Sequence, residues 1–197
     1  MAVITVSRQL GSHGSAVAEA VAARLGYRLV GRELINQAAV AAGVPAAALA
    51  EIDELGLLGI QLRAEEHQVY RETVATLMQK MATAGNVVIV GRAGQVVLKD
   101  RPQTLHVQIV APFAIRAHRV AKDEQIRLEA AIARVRQCDL VRSRYLRRHY
   151  NVDWTDPNLY DLVVNTARIP VAVAVEIICH ATQLLRERAS AKEEGSK

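Results

Sequence analysis

Three stretches of this sequence carry residue types that could do chemistry, and each suits an anion. The first is Ser7-Arg8-Gln9-Leu10-Gly11-Ser12-His13-Gly14-Ser15, a polar run with two glycines and one arginine. It follows an apolar run and precedes a helical pattern. At such a junction backbone N–H groups and the positive end of the helix dipole point at one spot, where a phosphate is stabilised. The second is Gly91-Arg92-Ala93-Gly94, directly after the apolar run Asn86 to Val90. An arginine between two glycines at the end of a buried strand reads as an anion ligand more readily than as a surface charge. The third runs from Arg116 to Arg148, with ten Lys/Arg against four Asp/Glu. The whole chain carries only +5, so this segment accounts for the excess and the remainder is close to −1. A local basic excess on a balanced chain suits a phosphate-rich ligand, and also a solvated helical face.

These stretches need elements to hold them. Ala2 to Val6 reads as a buried strand and Ala16 to Leu25 as a helix, with Val17, Ala20, Val21 and Leu25 on one face. Gly26 to Val30 reads as a short strand, and Gly31 to Gly43 as a helix. Pro45 opens a further helical piece, Ala46 to Leu55, which Gly56 and Gly59 break. Gln61 to Ala84 gives the longest helix, with a stripe of Leu62, Val69, Thr73, Leu77 and Met81. Asn86 to Val90, Thr104 to Val110 and Tyr160 to Asn165 read as strands. Glu129 to Arg148 is a basic helix with Ile132, Val135, Cys138 or Leu140, and Tyr145 facing inward. A loop with Asp156-Pro157 as a turn signal holds Trp154, which reads as a packing anchor. His106 and His180 read as structural, and Asp53-Glu54 as helix surface. Pro170 starts a last helix ending near Arg188, and Ala189 to Lys197 reads as a disordered tail. About five mostly parallel strands with helices on both faces make a three-layer α/β domain.

Composition narrows the class. The 197 residues suffice for one domain with its own core. No stretch approaches the ~20 apolar residues of a membrane helix, and the N-terminus lacks the pattern of a signal peptide. Cys138 and Cys179 have no metal-ligand spacing and read as free thiols in a reducing cytoplasm. A nucleic-acid-binding module built on Arg134 to Arg148 is disfavoured by the scarcity of aromatics, 4% of the chain.

Four stretches resemble the cytidylate kinase-like family of the P-loop nucleoside monophosphate kinase group. Ile4 to Gly14 is similar to the family's I-T-I-S-R-Q/E-x-G-S-G-G, and Gly31-Arg32-Glu33-Leu34-Ile35 to its D-R-E-L-I. Val90 to Leu98 is similar to G-R-D-x-G-T-V-V. Tyr150 to Thr166, with Trp154, Asp156-Pro157, Tyr160-Asp161 and Asn165-Thr166, resembles W-x-D-P-x-x-Y-D-L-V-x-N-T. The resemblance implies a P-loop NTPase-like fold over 1–188, with a helical acceptor-binding insert at 31–84 and a basic lid at 112–150. It implies ATP and Mg²⁺ as cofactors and phosphoryl transfer to a nucleotide, CMP or dCMP, as small-molecule partner. A homo-oligomer is left open. By the same resemblance Gly11, Ser12, His13, Gly14 and Ser15 would hold the donor phosphates, with Ser15 as the metal ligand. Arg8 would join them at the donor phosphates, Arg92 and Arg142 would hold the acceptor or transferring phosphate, and Arg116 and Arg119 would serve the lid. Arg32, Arg92, Gln95, Asp139 and Arg144 would bind the acceptor.

The sequence departs from these patterns at three polar positions. His13 stands where G-x-x-x-x-G-K-[ST] has its lysine. Gly31 replaces the acid before R-E-L-I, and Ala93 the acid of G-R-D. These departures keep a second reading open, a nucleotide-binding regulatory protein with little or no turnover.

Overall fold

In the computed structural model the opening apolar run is strand β1 (Val3–Arg8), which lies at the centre of a five-stranded sheet. The structure describes residues 1–41, 43 and 64–194. The other strands are β2 (Arg28–Val30), β3 (Val87–Val90), β4 (Thr104–Val110) and β5 (Leu162–Asn165). Their order is β2-β3-β1-β4-β5, and every neighbouring pair is parallel. The helices are α1 (Gly14–Leu25), α2 (Arg32–Ala41), α3 (Ala64–Ala84), the short α4 (Gly94–Val97), α5 (Phe113–Asp123), α6 (Leu128–Tyr150) and α7 (Val171–Glu194).

Successive strand residues face opposite sides of a sheet, and here each side is covered. Ile4, Val6, Val88, Val90, Val107 and Ile109 pack with Val17 and Val21 of α1 and Ile178 of α7. Val3, Val87 and Ile89 pack on the other side with Ile35 of α2 and Tyr70, Val74 and Met78 of α3. That double burial is why β3 reads as the unbroken run Val-Val-Ile-Val. The three-layer α/β expectation therefore holds. β3 lies inside the sheet between β2 and β1, with Ile4 in register with Val88 and Leu29 in register with the same residue from the other side. Because β3 and β4 flank β1, the carboxyl ends of these three strands border a crevice at the point where the strand order reverses. In open α/β sheets ligands bind there. No helix among the described residues is long and apolar enough to cross a membrane.

Five expectations are corrected. β1 continues through Ser7 and Arg8, because the long β4 pairs with it up to Arg8 opposite Ile109. α1 begins at Gly14, two residues early, so the connecting loop shrinks to 9–13. α3 turns Tyr70, Val74, Met78 and Ala82 inward while Val69 is about half exposed, so its buried stripe lies one residue beyond the expected one. α7 reaches Glu194, six residues into the stretch expected to be disordered. On α6 the inward residues are Ala131, Val135, Cys138, Arg142 and Leu146, and Leu140 is exposed. The expectations for Pro45, residues 46–55, Asp53-Glu54, Gly56, Gly59 and Leu62 lie outside the described residues.

Candidate active site

The loop after β1 is fixed by its own backbone. Ser12 N–H donates to Gln9 O (3.2 Å), and so does the Ser12 hydroxyl (2.8 Å). Gln9 Oε1 accepts from Ala111 N–H at 3.0 Å, tying the loop to the end of β4. Gly11 has φ +76 and lies so close to α5 that a Cβ would stand 2.5 Å from Arg116 O. Only glycine fits there without moving backbone. His13 adopts a left-handed conformation at the start of α1 and makes no side-chain cap. The first N–H groups of a helix have no intrahelical acceptor. Those of Gly14, Ser15 and Ala16 thus remain for a ligand, while Val17 N–H closes on His13 O at 3.0 Å. Ser15 is exposed and lines the mouth of the crevice with Arg8, Gly31, Arg32, Glu33 and Arg134.

Beside this loop lies a cavity whose wall includes Arg8, Arg32, Arg92, Gln95, Arg142 and Tyr145. Three consecutive residues after β3, Gly91, Arg92 and Ala93, have positive φ (77°, 52° and 59°), which turns the chain sharply and brings Arg92 back over the sheet edge. Arg92 is 8% exposed, and its Nη2 donates to Asn36 Oδ1 of α2 at 2.8 Å. Arg142 comes from α6 and lies 5.0 Å above the ring of the buried Trp154. Trp154 is the packing anchor expected, and its carbonyl accepts from Gln108 Nε2 (2.9 Å) and Tyr160 Oη (2.8 Å). Arg32 is paired at 3.2 Å with Glu33. The Glu33 carboxyl is held below its ordinary pKa, first by a backbone hydrogen bond and then by Arg32 and Arg8. Burial, with the neighbouring Tyr150 and Tyr70, pushes the Tyr145 phenol well above its usual range, so it stays neutral.

The structure brings Arg8, Arg32, Arg92, Gln95 and Arg142 together and sets the loop of Gly11, Ser12, His13, Gly14 and Ser15 beside them. Arg116, Arg119, Asp139 and Arg144 do not line that cavity. Arg116, only 5% exposed, grips Asp139 with both Nη1 (3.2 Å) and Nη2 (2.8 Å) and donates through Nε to Ala111 O (3.0 Å). Its donors are thus shared among Asp139, Ala111 O and, at 3.4 Å, Leu10 O. Arg119 donates to Thr166 O (2.9 Å), Thr166 Oγ1 (3.0 Å) and Gly11 O (3.3 Å), clamping the loop from behind. Arg144 is exposed and lines neither cavity. The Ser12 hydroxyl and N–H both turn inward to Gln9 O, and the Ser12 carbonyl accepts from Thr166 Oγ1 at 2.8 Å. His180 is exposed on α7, whereas His106 is buried with Nδ1 2.7 Å from Thr5 Oγ1. Sequence reasoning missed Asn36 and Tyr145 as site residues. Asn36 stands one helical turn beyond Arg32, and Tyr145 three residues after Arg142, so helical periodicity counted from those arginines was the available signal.

Residues 3–168 match the model of the cytidylate kinase-like family. A cytidylate kinase of Pyrococcus horikoshii is 32% identical over 167 residues, covering 84% of this chain and 80% of that one. A cytidylate kinase of Ignicoccus hospitalis is 30% identical over 181 residues, covering 90% and 97%. Among solved structures, an uncharacterized protein of Eubacterium ventriosum superposes with TM-score 0.74 at 20% identity, over 93% of this chain and 99% of that one. A gluconokinase of Sinorhizobium meliloti superposes with TM-score 0.59 at 17% identity, over 97% of both chains. The structural likeness bears on the fold, and the sequence matches extend from β1 through the loop after β5: this chain belongs to the cytidylate kinase-like family.

Proposed function

We propose that the protein transfers the γ-phosphoryl group of ATP to a nucleoside monophosphate, with CMP or dCMP as the acceptor that the resemblance and the names of the curated relatives suggest. The observation that carries this reading is the convergence of Arg8, Arg32, Arg92 and Arg142 on one cavity beside the helix-start loop. Phosphoryl transfer asks a protein mainly to position two phosphates and to stabilise charge on the group in flight. Guanidinium forks grip phosphate oxygens in pairs and stay charged at any working pH.

In this reading the donor phosphates rest on the N–H groups that open α1. Arg92, oriented by Asn36, and Arg142, braced on Trp154, hold the acceptor phosphate. An oxygen of that phosphate forms the new bond to Pγ, the bond from Pγ to the β,γ-bridging oxygen breaks, and ADP leaves. The residues present fit Mg²⁺ through the Ser15 hydroxyl, exposed beside the phosphate position. Among the described residues no three His, Cys, Asp or Glu side chains cluster to hold a metal, so the phosphates themselves would supply its other ligands. Bound there, the ion would neutralise phosphate charge.

The test is ADP release from Mg-ATP by the purified protein, with CMP, dCMP, UMP and AMP offered in turn. Turnover that depends on one monophosphate supports the reading and names the acceptor. ADP release no faster than without acceptor in all four overturns it.

A further inference from the structure

Arg8 occupies a position that its place in the sequence does not reveal. As the last residue of β1 it is anchored in the sheet opposite Ile109. Its stem crosses the first residue of α1 so closely that a Cβ on Gly14 would lie 2.3 Å from Arg8 Cβ and 3.0 Å from Cγ. Its head extends to the end of β3, where a Cβ on Gly91 would lie 2.9 Å from Nη1. Two glycines from separate stretches thus clear one slot, and a single side chain fills it. The slot leads from the N-terminus of α1 to the arginine-lined cavity, and Arg8 borders both the cavity and its mouth. His13, at the position of the usual lysine, borders neither.

We infer that Arg8 supplies, from the strand side, the positive charge that a lysine after the loop supplies elsewhere, binding the β- and γ-phosphates of the donor. This rests on the kinase reading. The chemistry suits the replacement. A loop lysine acts as a point charge on the terminal phosphates, whereas a guanidinium can bridge two oxygens. Fixed at its base by the sheet and along its stem by Gly14, Arg8 meets those oxygens with little rotamer entropy left to lose. The small residues at 14 and 91 make room for it.

The decisive variant is Arg8→Gln, which keeps the stem over Gly14 and removes the charge. Binding of Mg-ATP and of AMP is measured by calorimetry, without any acceptor, together with Tm. Arg8→Gln is expected to weaken Mg-ATP about tenfold or more, the worth of a charged hydrogen-bond pair, and AMP by less than about twofold, with Tm within a few degrees of the parent. Arg8→Lys is expected to keep part of the preference for ATP. Adding His13→Lys to Arg8→Gln is expected to restore Mg-ATP binding at least partly. Equal loss for ATP and AMP, or no loss for either, in a folded Arg8→Gln protein overturns the inference. If Arg8→Gln does not fold, Arg8→Lys decides, because loss of all preference for ATP over AMP there counts against a charge role. The outcomes separate from those of the parent reading. A parent protein that binds ATP but never releases ADP sinks the kinase reading alone, and one that turns over with Arg8→Gln unaffected sinks this inference alone.

Discussion

Arg116 and Asp139 face each other across the junction of α5 and α6 as a two-pronged pair, Nη2 2.8 Å from Oδ2 and Nη1 3.2 Å from Oδ1. The arginine is 5% exposed and the aspartate 26%. Because Arg116 also donates to Ala111 O, the pair fastens the root of the basic segment to the end of β4. Asp139→Asn leaves a buried guanidinium without its counter-charge. It is expected to cost about 3 kcal/mol, the low end for breaking a buried pair, because Asp139 keeps some contact with water. Urea denaturation reads this directly. Arg116→Met with Asp139→Leu is expected to regain much of the loss, since it removes both charges at once.

The inner face of α3 offers a second check. Met78 is fully buried against the sheet and Val69 is about half exposed. Met78→Ala is expected to cost about 2–5 kcal/mol and Val69→Ala less than about 0.5 kcal/mol. Equal losses in thermal or urea unfolding would mean that the helix presents the other stripe.

The same helix shows where a sequence stops being informative. Val69, Thr73 and Leu77 form one apolar row and Tyr70, Val74 and Met78 the next, one residue round. Periodicity gives a helix, but packing against Val3, Val87 and Ile89 chooses the row. The strands were easier to read, because a run such as Val87 to Val90 is apolar throughout only where both faces are covered. The loop after β1 and Arg92 were legible through small residues at strand ends. The arginines of the basic segment were not separable by type. Arg116 meets Asp139, 23 residues away, while Arg142 meets Trp154 and the cavity, and only the crossing of α5 and α6 decides which. Arg8 was legible as a cation but not as a strand residue, because the length of β1 is set by its partner β4.

His106 gives the protein a pH dependence with a definite sign. Its imidazole is buried beside Thr5, and burial lowers its pKa from the ordinary value, with Asp161 opposing. Below the ordinary histidine pKa of about 6.5 the unfolded chain therefore binds more protons than the folded one. The stability contributed by neutral His106 is complete above that pH and is lost as pH falls toward the folded-state pKa. Thermal unfolding of the parent is expected to weaken between about pH 7 and 5, and His106→Gln to show a shallower decline across the same range. Parallel curves would show that other groups set the acid limit.

Asn36 and Arg92 form the contact through which α2 reaches the proposed acceptor site. Asn36 Oδ1 accepts from Arg92 Nη2 at 2.8 Å, which fixes the plane of a guanidinium that approaches the sheet edge from a left-handed turn. Removing the amide leaves the charge in place but lets the fork rotate. Asn36→Ala is therefore expected to raise KM for the monophosphate about tenfold, in line with losing one charged hydrogen bond, with kcat for saturating acceptor and KM for ATP little changed. Arg92→Lys keeps the charge and loses the fork, so its effect is expected to be larger and to reach kcat as well. Steady-state kinetics with the acceptor varied at saturating Mg-ATP separates the two. A rise in KM for ATP instead would place Arg92 on the donor side of the cavity, and Arg142 over Trp154 would then be the arginine left for the acceptor phosphate.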